Sequence, residues 1–200
     1  MHSNDTLNKG LDMAATLSQL ILQLDTAGDI AAEQVITQLV KIGPKAIPDL
    51  IKAAQDPSKP RIRKWSLLAL GTIGDLSVSP ILTNALRDER MTVKLCAMQG
   101  LARMNDKSAA SHIVLLLTDQ SAGVRVNAIG ALIKLNDAIT ASQIAPLLKD
   151  PMWSVRLYVC KAVKHFQLKE TLKTLQNLAA HDPKTAVRNA ATAALENILS

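Results

Sequence analysis

One pair of residues recurs along this chain at almost constant spacing, and it constrains the fold more than any other feature. The pair is a Val or Ile followed by an Arg or Lys, and its five copies stand 31, 31, 31 and 32 residues apart. The copies are Ile62-Arg63, Val93-Lys94, Val124-Arg125, Val155-Arg156 and Val187-Arg188. A fixed period of this length is typical of repeat proteins, in which stacked units share one core.

Other positions repeat with the pair and predict a helix that begins near it. The third and sixth residues after the cation are mostly small, and the seventh and tenth are large and apolar. Together with the Val or Ile before the cation, these offsets lie on one helical face at about 100° per residue. We therefore expect a buried stripe on each such helix, with small residues that allow a close neighbour.

An aspartate precedes each cation and is expected to end the preceding helix. It stands six residues before the cation in four copies and seven in the first. The aspartates are Asp56, Asp88, Asp119, Asp150 and Asp182. Each unit therefore reads as helix, short turn, helix. We expect the aspartates and the cations Arg63, Lys94, Arg125, Arg156 and Arg188 to form a structural ladder of ion pairs that aligns successive units.

Composition agrees with an all-α fold, because 48% of the residues are apolar but only 2% are aromatic. Sequence rich in Ala and Leu has helix propensity, whereas strands prefer β-branched and aromatic residues. We predict an α-solenoid of about six helix pairs in one domain over residues 10–200, with residues 1–9 as a candidate disordered tail. The approximate units are 10–43, 44–74, 75–105, 106–136, 137–167 and 168–200.

This signature of Asp, a short turn, Val-Arg, small residues and "AL" resembles the HEAT-repeat superfamily. It is most similar to the short HEAT-like repeats also found in phycobilisome lyases. The resemblance implies an armadillo-like helical array whose second helices, which begin near each Val-Arg, line a concave face. Such arrays serve many functions, so the family alone selects none.

The concave face should carry the residues at offsets two, five and nine after the cation, which lie opposite the buried stripe. At offset two we expect an exposed column of Trp65, Cys96, Asn127, Tyr158 and Ala190. Aromatic residues beside cations are typical of interaction surfaces. The candidate partner-binding residues are Lys64, Trp65, Gln99, Arg103, Lys134, Tyr158, Lys161 and His165.

Catalytic, cofactor and metal sites are not predicted. The four histidines are scattered, and the sequence has neither a His-Glu pair nor a phosphate-binding loop. Two cysteines are too few for a disulfide scaffold. Without an export signal or a long apolar run, we expect a cytoplasmic protein.

The leading hypothesis is a non-enzymatic scaffold or adaptor that binds a partner protein, with Arg103, Lys134 and Lys161 matching acidic groups. The net charge of +6 also permits sequence-independent nucleic-acid binding, for which Lys64 and Lys164 would be further contacts. A third alternative is an accessory or lyase-type subunit that handles a bound small ligand. The sequence does not decide between these three.

Overall fold

The computed structural model describes residues 15–26 and 28–200, with no account of the side chains at 138 and 139. The candidate tail at residues 1–9 lies outside them. Across the described residues the chain forms α-helices and short 3-10 helices, and no strand. The predicted all-α solenoid is confirmed. None of these helices is both long and apolar enough to cross a membrane.

Two compact units, Met1–Met104 and Asn105–Ser200, divide the chain. In unit 1, helix α1 covers residues 15–26 and directly precedes α2 along the chain. The other helices of unit 1 are α2 (Asp29–Ile42), α3 (Ile47–Gln55), α4 (Pro60–Ile73), α5 (Ser79–Ala85) and α6 (Met91–Arg103). Helix α4 packs against α2, α3 and α6, so it has neighbours on several sides.

Unit 2 continues the alternation of first and second helices. Its helices are α7 (Ala110–Val114), α8 (Ala122–Leu135), α9 (Ala138–Ala141), α10 (Trp153–Phe166), α11 (Leu172–His181) and α12 (Thr185–Leu199). Helix α9 runs into a 3-10 helix, Ser142–Lys149, which contains Pro146. Proline there lacks an N–H and crowds the preceding turn, which explains why regular α-helix is not maintained. Helix α10 packs against both α8 and α12.

The repeating pair begins a second helix in every copy, as predicted. Its apolar residue is the third residue of α4, α6, α8, α10 and α12. These five apolar residues are all buried, and so are the five residues three positions after the cation. These columns of the predicted stripe lie in the core, whereas Ile73, Met104 and Phe166 at offset ten are half-buried. In unit 1, Gly71 of α4 and Gly100 of α6 approach so closely that no space remains for a Cβ atom at Gly71.

Four second helices, α4, α6, α8 and α10, end at or near a residue with a positive φ angle. Positive φ angles occur at Gly74, Asn105, Asn136 and Gln167, each directly after or near the last turn. Glycine and asparagine adopt this conformation at low cost, which is why they end helices so often. Gln167 gives no such signal in the sequence.

Candidate functional site

The repeated cations and aspartates meet across neighbouring turns within each unit. In unit 1, Arg63 Nη1 lies 2.7 Å from Asp88 Oδ2. In unit 2, Arg125 contacts both carboxylate oxygens of Asp150 at 2.8 Å. Arg156 contacts both oxygens of Asp182 at 2.7 and 3.0 Å. Each of these arginines thus binds the aspartate of the next turn in its unit, and the two in unit 2 do so with the two-pronged geometry that guanidinium and carboxylate groups favour.

Three of the repeated arginines also hold the turn of their own repeat. Arg125 Nη1 donates to the carbonyl of Asp119 at 2.8 Å, Arg156 Nη1 to that of Asp150 and Arg188 Nη1 to that of Asp182. The aspartates in turn accept a hydrogen bond from the backbone N–H two residues later, as Asp182 does from Lys184. The network therefore closes the turns and satisfies backbone groups at helix ends.

Hydrogen bonding shifts the pKa values of the ion pair between Arg156 and Asp182. The hydrogen bond from Arg156 holds the pKa of Asp182 below its ordinary value, and the same bond raises the pKa of Arg156. Both residues are buried. Arg188, which follows in α12, binds only the Asp182 carbonyl and Thr185 Oγ1 among the described residues. Lys94, the remaining repeated cation, lies half-buried in α6.

The exposed column expected at offset two is wrong in unit 1. Trp65 and Cys96 are both only 8% exposed. Trp65 is buried because α4 packs against α2, α3 and α6, so more of its circumference is covered than a single stripe. Helix α6, which carries Cys96, packs against both α4 and α5. Lys64 Nζ lies 4.1 Å from the centre of the Trp65 ring and 3.8 Å from Asp29 Oδ1, so this cation is engaged within the unit.

Helices α2, α4 and α6 surround a pocket of about 370 Å³ within unit 1, here called the α2 pocket. It is lined by Glu33, Ile36, Thr37, Val40, Leu68, Thr72 and Arg103. Arg103 is exposed, and its Nη1 donates to Thr72 Oγ1 at 2.8 Å. Gln99, on the same helix, is also exposed. Of the predicted residues in unit 1, the structure thus places Arg103 at a pocket and Gln99 on the surface.

Two helices of unit 2 present the other predicted residues. Tyr158 of α10 is half-buried, and Lys161 Nζ lies 4.6 Å from the centre of its ring. His165 Nε2 lies 3.0 Å from Asn136 Oδ1. Lys134 is exposed at the end of α8. Tyr158, Lys161 and His165 follow one another at spacings of three and four along α10, which places them on one side of that helix.

Both cysteines are unreactive by environment. Burial raises the pKa of the Cys96 thiol to about 11 and that of Cys160 to about 12. At neutral pH each is a protonated thiol that packs as a small apolar residue. Within the described residues, no group of three or more His, Cys, Asp or Glu side chains is arranged to hold a metal ion.

A family model for HEAT repeats matches residues 17–94 and 141–199, which together are more than half of the chain. The chain belongs to the HEAT-repeat family. No curated protein sequence matches this HEAT-repeat chain. Its fold has counterparts among solved structures.

One such counterpart is in the complex of CpcE and CpcF of phycocyanin lyase from Nostoc sp. PCC7120. It has a TM-score of 0.60 at 21% identity, over 87% of this chain and 74% of that one. Another is a designed armadillo repeat protein in complex with the peptide (KR)4, with a TM-score of 0.61 at 20% identity, over 91% and 99%. Likenesses at this level show the fold of the HEAT-repeat chain. The fold supports a scaffold or adaptor role and leaves the kind of partner open.

The sequence did not predict that residues of α2 line a pocket. Helix α2 lacks the anchoring cation, so the repeat alignment gave no register for it. A local signal was present, since residues 33, 36, 37 and 40 follow the i, i+3, i+4, i+7 spacing of one helical face.

Proposed function

We propose that this HEAT-repeat protein is a non-enzymatic adaptor that binds an acidic segment of a partner protein through the α10 face of unit 2. The α10 face is defined by Tyr158, Lys161 and His165, with Lys134 of α8 as its neighbour in the repeat. The observation that supports it is the Lys161–Tyr158 pair, in which an ammonium group lies 4.6 Å from a half-buried aromatic ring. A rigid ring beside a cation offers apolar contact and charge recognition together.

Charge favours an acidic partner. None of the residues at offsets two, five and nine in α8, α10 and α12 is an aspartate or glutamate, whereas Lys134, Lys161 and His165 lie at those offsets. The designed armadillo protein was solved with the basic peptide (KR)4. A related architecture with basic residues at these offsets is suited to a peptide of the opposite sign, because complementary potentials set partner choice and association rate.

Nucleic acid is the second candidate, since phosphates would match the same cations. The ladder arginines of unit 2 are not available for this purpose, because Arg125 and Arg156 are committed to Asp150 and Asp182. A lyase-type subunit is the third candidate and draws only on the fold shared with the CpcE and CpcF complex. No residue of this chain specifies a bilin.

The decisive experiment compares two charge-reversal variants in unit 2. Lys134→Glu/Lys161→Glu reverses the proposed face, and Lys169→Glu/Lys173→Glu makes the same change in net charge at exposed positions before and in α11. Tagged full-length proteins are used to capture partners from nuclease-treated lysate of the source organism, and crosslinks are mapped by mass spectrometry. We expect the first variant to lose proteins that crosslink to α10 through acidic segments, and the second to retain them.

Equal capture by both variants would reject the α10 face. Loss of all capture after nuclease treatment, together with binding of a labelled oligonucleotide that weakens steeply with salt, would support nucleic acid instead. A visible chromophore retained through purification would support the lyase-type alternative. Circular dichroism of both variants checks that helicity is unchanged.

A further inference from the structure

The α2 pocket in unit 1 has an apolar interior. Of its lining residues, Ile36 and Leu68 are buried and Val40 is half-buried, whereas Glu33, Thr37 and Arg103 are exposed. The pocket therefore has aliphatic side chains at depth and polar groups at its rim. Its volume of about 370 Å³ lies at the small end of ligand pockets. That space suits one or two side chains and not a whole helix.

Arg103 lies at the rim and is positioned by a hydrogen bond. Its Nη1 donates to Thr72 Oγ1 at 2.8 Å, and that hydroxyl donates in turn to the carbonyl of Leu68 at 2.7 Å. The hydroxyl proton is thus directed to the backbone, and an oxygen lone pair accepts from Arg103. One guanidinium N–H group is used in this way, which leaves the rest of the fork available.

No carboxylate among the described residues pairs with Arg103. The ladder arginines differ in this respect, since Arg125 and Arg156 each bind an aspartate through two N–H groups. Guanidinium groups bind carboxylates in planar pairs more strongly than they bind neutral hydroxyls. Arg103 is therefore positioned beside an apolar pocket by the neutral hydroxyl of Thr72. It has no anionic partner within the described part of the chain.

Glu33 supplies an acceptor at the same rim. Its side chain is exposed, and its backbone carbonyl accepts from Thr37 Oγ1 at 2.9 Å. An extended peptide has backbone N–H groups that can donate hydrogen bonds to a carboxylate of this kind. Apolar depth, an arginine fork and a carboxylate acceptor together match one kind of occupant.

We propose that the α2 pocket binds an internal segment of a partner protein in which an aliphatic residue stands next to an aspartate or glutamate. The aliphatic side chain contacts Ile36, Val40 and Leu68. The acidic side chain pairs with Arg103, and Glu33 accepts a backbone N–H of the segment. This inference rests on the proposed adaptor function and assigns a second, separate contact in unit 1.

The test uses a capped peptide, acetyl-Ser-Gly-Glu-Leu-Gly-Ser-amide, titrated into the full-length ¹⁵N-labelled protein and followed by NMR. We expect saturable shifts at the amides of Leu68 and Thr72 and at Arg103 Nε–H, with a dissociation constant of about 1 mM, as is usual for so small a ligand. Replacing Glu by Gln, or Leu by Ala, in the peptide should weaken binding about fivefold or more.

Substitutions at Arg103 distinguish recognition by the planar guanidinium group from recognition by positive charge alone. Arg103→Gln should abolish the shifts in α4 and α6, and Arg103→Lys should bind more weakly than the unchanged protein because it loses the planar fork. Lys169→Gln, which removes a cation from unit 2 outside the α10 face, is the matched control and should leave peptide binding at the α2 pocket unchanged. Arg103 and Lys169 are both exposed, so neither change removes core packing.

Three results would overturn the proposal. The first is the absence of shifts at Leu68 and Thr72 up to about 20 mM peptide, a limit well above the expected constant. The second is peptide binding that Arg103→Gln does not alter. The third is binding of N-acetyl-leucine, whose carboxylate is free, without binding of the capped peptide, because the occupant would then be a small acid.

These results are independent of the capture experiment on α10. Shifts confined to Tyr158 and Lys161 would reject the α2 pocket and leave the adaptor function standing. Shifts at the α2 pocket that depend on Arg103, combined with equal capture by both charge-reversal variants, would support the pocket and reject the α10 face.

Discussion

Substituting alanine for Gly71 should separate two helices of unit 1 that now touch. A Cβ atom at this position would lie 2.1 Å from Gly100 Cα and 2.5 Å from its carbonyl carbon. Both contacts are with backbone, so no side-chain rotation can relieve them. Helices α4 and α6 would have to move apart by roughly 1 Å, in a core whose packing is close to that of organic crystals.

The size of the effect follows from two opposing terms. Overpacking of a core typically destabilises by about 1–3 kcal/mol, and contacts with backbone belong at the upper end. Alanine in place of glycine stabilises a helix interior by about 1 kcal/mol. We expect a net loss of about 2 kcal/mol in the free energy of unfolding, or a fall in Tm of about 4–8 °C for a chain of this size.

Gly130→Ala is the matched control, because it makes the same chemical change in helix α8. A Cβ atom at Gly130 would have no atom within 4 Å, apart from the local neighbours of the glycine. The helix-propensity term then acts alone, and Tm should rise by about 2–4 °C. Urea unfolding followed by circular dichroism gives both free energies. The close approach of α4 and α6 is refuted if Gly71→Ala matches the unchanged protein while Gly130→Ala stabilises it.

Three further predictions concern buried groups. Asp182→Asn should destabilise unit 2 by about 3 kcal/mol in urea unfolding, because it leaves the Arg156 guanidinium buried without its charge partner. Since the pKa of Asp182 is lowered by folding, its contribution should be complete above about pH 4 and be lost as pH falls through the folded value. Cys96 and Cys160 should react with a thiol reagent at neutral pH only on unfolding, because both thiols are buried and protonated. Trp65→Ala should lower the free energy of unfolding by about 3 kcal/mol or more.

Each of these predictions has a control and a contrary result. Thr185→Ala changes a ladder contact at an exposed residue and should have a small effect. If Asp182→Asn is equally mild, the ion pair contributes little. Fast labelling of either cysteine in the folded protein would show that its helix opens readily. Trp153 is 40% exposed, so Trp153→Ala should be nearly neutral, and a similar result for Trp65 would contradict its burial.

The sequence predicted the buried stripe well because five copies fixed its register. Small residues such as Ala97, Ala128 and Ala191 recur three positions after the cation, and each is fully buried. Periodicity of this kind reports the side of a helix that all repeats bury in common. It does not report contacts that only one helix makes. The meeting of Gly71 and Gly100 is of that second kind, since glycine at position 71 falls outside the repeated columns.

The error about Trp65 has the same origin. A helical wheel divides a helix into one buried and one exposed side, which fits a helix with a single covered face. Helix α4 is covered from three directions, and its residues from Trp65 to Gly71 are buried without interruption. Helix α2 lacks the repeated Val/Ile-Arg/Lys pair. Its residues, among them Glu33 at the rim of the α2 pocket, therefore could not be aligned with the other repeats. Both cases depend on neighbours that the repeat pattern does not encode.

Charge shows most clearly why the structure changes the functional argument. By composition every cation contributes to the net charge of +6, and the chain reads as generally basic. Ion pairing leaves that net charge unchanged, but Arg125 and Arg156 are bound by aspartates and Lys64 lies against Trp65 and Asp29, so these three cations are less available to phosphates. If Arg103, Lys134, Lys161 and the exposed Lys164 were the main contacts to phosphate, duplex DNA affinity would fall with a salt slope of only about −4. Proteins that bind DNA through six to ten phosphates have much steeper slopes, of roughly −5 to −9. A few cations placed beside an aromatic ring or an apolar pocket are better matched to acidic side chains that bring apolar neighbours with them, and this match supports the proposed protein partner over nucleic acid.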